Sequence, residues 1–203
     1  IEKSISVSNL VNGTTRLQPV VMQIGQAAGI LASLAVSQNK LVDKVSIRDV
    51  QLEILNNKGY IQPFIDVSYE NPNFISYQKI GACGILKGEG MNIGWENKTL
   101  FYPENELTRT DLLEGLKDYY NLNHHPIPNL LTIENISNWI IKVSEDEKIK
   151  LKDFETKWND FGLKEYDSNR IIKRGEFAIL IDKYLNPFSM FEVNFKGQII
   201  KND

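Results

Sequence analysis

Leu107-Thr108-Arg109-Thr110-Asp111-Leu112-Leu113 and Ile172-Lys173-Arg174-Gly175-Glu176-Phe177-Ala178 are two versions of one helix start, 65 residues apart. The same offset carries Asp118-Tyr119-Tyr120 onto Lys183-Tyr184-Leu185, so the correspondence spans a whole helix. In the first copy Thr108 and Asp111 have the spacing of a capping box. A repeat of this period predicts two similar helical units packed on one another.

The segments around the repeat fit that reading. Residues 72–83 have the spacing of a helix with Phe74, Ile75, Tyr77 and Ile80 as its apolar set, ended by the turn-rich Gly84-Ile85-Leu86-Lys87-Gly88-Glu89-Gly90. In the second unit, residues 132–143 carry Ile133, Ile136, Trp139, Ile140 and Val143 at helical spacing. A further helix near 148–161 buries Leu151, Phe154, Trp158 and Phe161, with Gly162 as its stop. Upstream, Ser46 opens a helix with Asp49 in the capping-box position, and Gly59 fits its C-cap.

Pro19 to Val36 is the most apolar stretch, and Pro19 suits a first helical turn. Gln23 and Gln26 interrupt it and it falls short of a full span, so a buried helix is expected, not a transmembrane one. Gly25 and Gly29, four apart with Ala28, Ala32 and Ala35 nearby, suit either tight helix packing or the close approach of a planar cofactor. Ile5 and Val7 alternate with serines as in a short strand, and Phe191-Glu192-Val193-Asn194-Phe195 alternates in the same way.

The run Ser6-Val7-Ser8 followed by Arg16-Leu17-Gln18-Pro19-Val20-Val21-Met22-Gln23-Ile24-Gly25-Gln26-Ala27-Ala28-Gly29 resembles the last cofactor-contacting segment of bacterial FAD-dependent oxidoreductases with a glutathione-reductase-like nucleotide fold. The resemblance implies a strand, a loop and a long helix whose N-terminus points at the flavin. It makes Arg16, Gln18, Pro19, Val20 and Val21 the cofactor-side residues. The free N–H groups and positive end of such a helix stabilise electron density on a flavin ring. The fingerprint Gly-x-Gly-x-x-Gly does not occur in the chain, so FAD is expected in a parent protein and not in this chain alone. Ile1 is not an initiator methionine, and the chain reads as the C-terminal part of a larger enzyme.

Asp66-Val67, Gly84-Ile85, Phe101-Tyr102-Pro103 and Thr108-Arg109-Thr110-Asp111 resemble, in order, the landmarks of S-layer homology repeats. That resemblance implies an anionic wall polysaccharide as ligand, with Arg109 and its counterpart Arg174 at the contact, and it points to an extracytoplasmic site. Thr110 and Gly175 replace the family's alanine, Asp111 its glutamate and Lys173 its threonine. An arginine at this position equally bridges to a neighbouring carboxylate.

The rest of the chain narrows the options. A net charge of −3 gives no electrostatic case for nucleic acid. Cys83 stands alone in a small-residue run and reads as a buried structural thiol. His124-His125 is a loop pair without metal-ligand spacing. Glu104 and Glu106 are read as solvated acids, and no catalytic or metal-binding residue is assigned. Trp139 and Trp158 fall on apolar helical faces, whereas Trp95 lies in a glycine-rich loop and is the tryptophan suited to stack on a sugar.

The expectation is a mainly α-helical protein: a bundle of two S-layer-homology-like repeats with short β elements at the two ends. Residues 1–40 form an incomplete FAD-binding segment, 41–62 a connecting helix and 63–203 the helical module. The function expected is a non-catalytic part of a FAD-dependent oxidoreductase with a helical appendage. The alternative is an independent carbohydrate-binding or wall-anchoring module. Expected partners are an upstream FAD-binding domain, an acidic polysaccharide, or a second copy through residues 19–36.

Overall fold

The computed structural model describes residues 5–200. Among them it is mainly helical, with α1 (Asn9–Thr15), α2 (Gln18–Ser37), α3 (Ile47–Asn56), α4 (Phe74–Ala82), α5 (Arg109–Leu116), α6 (Ile133–Ser144), α7 (Leu151–Trp158), α8 (Arg174–Tyr184) and α9 (Pro187–Met190). One antiparallel hairpin joins β1 (Glu89–Ile93) to β2 (Glu96–Leu100). The described residues divide into two compact units, residues 5–60 with 192–198, and residues 61–191 with 199–200.

In the first unit Ser8 caps α1, its Oγ accepting the Val11 N–H at 3.3 Å. Helix α2 ends where Asn39 turns left-handed (φ 50°), and the Lys40 and Asn39 amides close back on the Ala35 and Val36 carbonyls. This is a Schellman stop with asparagine in glycine's usual place. Ser46 caps α3 through the Asp49 N–H. The Asp49 carboxylate takes Gln38 Nε2 at 3.2 Å. The left-handed residue after α3 is Lys58 (φ 60°), not Gly59, which is small because a Cβ there would meet Ile54. Ala35, Val45 and Val50, with Ile30, Leu31, Leu34 and Ile54 against them, form this unit's core.

In the second unit α4 stops at Gly84 (φ 72°), with Ile85 N–H returning to the Ile80 carbonyl. Phe64 fills the centre, its ring 5.0 Å from that of Phe101. Gly81 and Gly88 are glycines because a Cβ on either would lie 2.6 Å from the Phe64 ring. The Asp66 carboxylate accepts the Phe101 and Tyr102 amides at 2.8 and 2.7 Å, fixing the loop that leads to α5.

The repeated helix starts pair through equivalent residues. Leu107 N–H donates to the Ile172 carbonyl at 3.0 Å, and Glu106 bridges antiparallel to Lys173. Thr108 and Asp111 form a complete capping box on α5. Lysine has no acceptor, so at α8 only the return half exists: Lys173 N–H to Glu176 Oε2 at 2.8 Å. Thr132 caps α6, and α7 ends at Gly162 (φ 72°).

The β elements expected at the chain ends lie elsewhere. Residues 5–8 are not strand, residues 1–4 fall outside the described residues, and 191–195 form no strand. The sheet lies at residues 89–100, within the stretch read as turn and loop. Two-residue alternation in a short segment carries no information about a pairing partner, and only the hairpin has one. Its turn is Gly94-Trp95, with Gly94 at φ 64°.

Candidate functional site

Helix α2 begins without a side-chain cap. Leu17 is its N-cap, Pro19 lies in the first turn, and the first turn holds no acid. The first closed amide is Val21, donating to the Leu17 carbonyl at 2.9 Å. The Gln18 and Val20 amides therefore head the helix with no acceptor among the described residues, at the positive end of its dipole. Arg16, Gln18 and Pro19 are exposed, Val20 is half-buried and Val21 is buried. Arg16 to Val20 thus form one accessible patch, to which Val21 adds its backbone alone. A two-turn helix, α1, occupies the segment expected as loop before it.

The buried helix expected at residues 19–36 is only partly covered. Val21 and Ala35 are buried, while Val20, Ile24 and Leu31 are half-buried. Its outward face carries Met22, Gln26, Gly29, Ser33 and Val36, uncharged throughout. By length and composition alone α2 is long and apolar enough to cross a membrane, a test that the core helix of a soluble protein also passes.

In the second unit the two motif arginines have opposite fates. Arg174 is buried, and all three guanidinium nitrogens are engaged. Nη1 meets Asp111 Oδ2 at 2.9 Å, Nε donates to the Phe101 carbonyl at 3.1 Å, and Nη2 to the Lys87 carbonyl at 2.8 Å. The Phe101 ring lies beneath it, 5.6 Å from centroid to Cζ. This is the bridge to a neighbouring carboxylate that the sequence left open. Arg109, one repeat earlier, is exposed and has no partner among the described residues. Glu176, the counterpart of Asp111, takes both terminal nitrogens of Arg170. Trp95 is fully exposed on the hairpin turn, whereas Arg174 is buried and cannot share an open surface with it and Arg109.

Sequence reasoning missed a polar groove of about 530 Å³ in this unit, where Tyr77 and Gly175 meet the Lys173–Glu104 and Arg170–Glu176 pairs. Its side chains come from four separated segments, and no local spacing marks them. Burial pushes the Tyr77 hydroxyl up to about 12, with Glu104 and Glu176 adding to the shift. The hydrogen bond from Lys173 to Glu104 raises the lysine, and that from Arg170 to Glu176 raises the arginine. Glu104 is therefore half of an ion pair, at 2.7 Å, and not a free acid. The His124 and His125 rings meet edge to face at 4.6 Å. Trp139 and Trp158 are core residues, their indole N–H groups donating to the His125 and Lys164 carbonyls.

A family model described as FAD dependent oxidoreductase matches residues 1–54. No curated protein and no solved structure matches the chain. The match begins at residue 1 and ends inside α3, so it covers α1, α2 and most of α3 and leaves the helical unit outside it. The N-terminal segment is related to FAD-dependent oxidoreductases.

Proposed function

We propose that residues 1–54 are the closing segment of the FAD-binding domain of an oxidoreductase, with the N-terminus of α2 turned towards the flavin. The observation that carries this reading is the coincidence of the family match with a helix whose first turn has open amides and no acid. Flavin supplies the redox chemistry when bound. This chain's part is to offer the Gln18 and Val20 N–H groups and the Arg16 charge to the electron-rich edge of the ring. The pyrophosphate cradle belongs to an upstream domain, the natural partner of this segment. Residues 61–191 are then a non-catalytic helical appendage resembling S-layer homology repeats.

An absorbance spectrum after incubation with excess FAD and desalting tests the division of labour. The expected result is no retained flavin absorption. Stoichiometric retained flavin would overturn it, because the chain would then hold the cofactor without a cradle.

A second reading, capture of an acidic polysaccharide by the helical unit, is favoured by the exposure of Arg109 and Trp95. Arg174 is not among its contacts, since its guanidinium is already saturated. Saturable binding of an acidic polysaccharide that is lost in Arg109→Ala supports it; binding indifferent to that change rules it out.

A further inference from the structure

The groove beside Tyr77 has the makings of a ligand site in its own right. Its volume, about 530 Å³, falls in the range of small-molecule clefts. The floor is backbone at Gly175, where a Cβ would lie 2.9 Å from Pro103 and 3.0 Å from the Tyr77 hydroxyl, so only hydrogen fits without a shift. Tyr77 itself is held in place by its ring, 5.2 Å from that of Phe101. Its hydroxyl keeps its proton at neutral pH and is available as a donor.

The walls carry side chains paired with one another. Glu176 holds Arg170 through both carboxylate oxygens and also accepts the Lys173 amide. Lys173 Nζ donates to Glu104 at 2.7 Å. Asn71 Oδ1 accepts the Asn73 N–H at 2.8 Å, and the Asn71 amide NH₂ keeps both donors, with no partner among the described residues. Pro72 and Pro103 add apolar ring surface between these groups.

Charge decides the ligand class. Lys164, Arg170 and Lys173 are matched on the same groove by Glu104, Glu165 and Glu176. A rim balanced in this way sets up no net field to concentrate an ion. It offers the Tyr77 hydroxyl and the Asn71 amide as donors beside internally paired charges, interleaved with C–H surface. An uncharged polyhydroxylated ring meets each of those features, and a fatty chain or a polyanion meets one at most. We propose that this groove binds a neutral saccharide. The site is independent of the flavin reading. It differs from the acidic-polymer reading in both residues and ligand charge, so the same variants separate the two.

The test uses the whole chain with chitotetraose, cellotetraose, maltotetraose and, as the acidic comparison, tetragalacturonate. Saturation-transfer NMR detects binding and calorimetry measures it. At least one neutral tetrasaccharide is expected to bind saturably. Tyr77→Phe and Asn71→Ala should each weaken it about tenfold, the loss of one hydrogen bond. Trp95→Ala and Arg109→Ala should leave it unchanged, with thermal melts confirming that all four variants fold. The proposal fails if no neutral tetrasaccharide binds, or if tetragalacturonate alone does. Neutral-sugar binding that survives Tyr77→Phe and Asn71→Ala, or disappears with Trp95→Ala, overturns it equally.

Discussion

Arg174 at the start of α8 reaches Asp111 in the first turn of α5, Nη1 to Oδ2 at 2.9 Å, and so ties together the two helix starts that the sequence repeats. Asp111 also closes the capping box with Thr108, its Oδ2 accepting both the Thr108 amide and hydroxyl. One carboxylate thus serves a local and a long-range contact.

Removing the arginine should therefore cost more than one interaction. Arg174→Ala leaves the Phe101 and Lys87 carbonyls without their donor and Asp111 without its cation. A loss of about 2–4 kcal/mol is expected, since buried partners are stranded. Arg109→Ala, at an exposed site, should stay within about 0.5 kcal/mol. Urea unfolding followed by tryptophan fluorescence measures both, and equal losses would contradict the unequal roles.

Gly115 is the least replaceable glycine of the helical unit. A Cβ there would meet the Ile85 carbonyl oxygen, which is backbone and has nowhere to retreat. Gly115→Ala should destabilise by about 3 kcal/mol or more through overpacking, despite alanine's better helix propensity. A melting temperature at or above that of the parent would show that α5 can move away from the turn after α4.

Alkali should weaken the fold through its buried tyrosines. Burial pushes the Tyr77 and Tyr184 hydroxyls to about 12 from the ordinary value of 10.0, and Tyr120 is pushed up as well. Above about 10 the unfolded chain releases these protons while the folded chain keeps them, so the folded form binds more protons and stability falls as pH rises. The contribution is whole below the unfolded value and disappears as pH passes through the folded one. Urea midpoints should fall from about pH 10 in a series from pH 8 to 11.5, while tyrosinate absorbance rises as the chain unfolds. A flat midpoint across that window would contradict the assignment.

The outward face of α2 should be sticky when nothing covers it. Met22 and Val36 are 73% and 82% exposed, lie on one side of the helix, and are joined by uncharged residues alone. Reversible self-association is the expected outcome in sedimentation, relieved by Met22→Glu with Val36→Glu. A monomer at every concentration removes residues 19–36 as a self-association surface.

Much of the helical architecture was legible because its signals are short-range. Thr108 with Asp111, Ser46 with the Asp49 amide and Thr132 with the Asn135 amide act within one turn. Gly84 and Gly162 mark stops because a left-handed residue is needed there. The hairpin was not legible: β1 is exposed throughout, so no apolar alternation announced it. The groove was hidden for a related reason, since Asn71, Glu104, Lys164 and Lys173 meet across long stretches of chain.

The sequence by itself determined where most helices start and stop, that one helix start occurs twice, and that residues 1–40 resemble a flavoprotein segment, within the 1–54 that the family model matches. Those features rest on interactions between residues three or four apart, or on an ordered run of letters. Only the tertiary structure decided which of the two motif arginines is buried. Arg109 and Arg174 occupy the same place in the same motif. What separates them is the presence of the Phe101 and Lys87 carbonyls, 73 and 87 residues before Arg174, which desolvate and bind one guanidinium and leave the other in water.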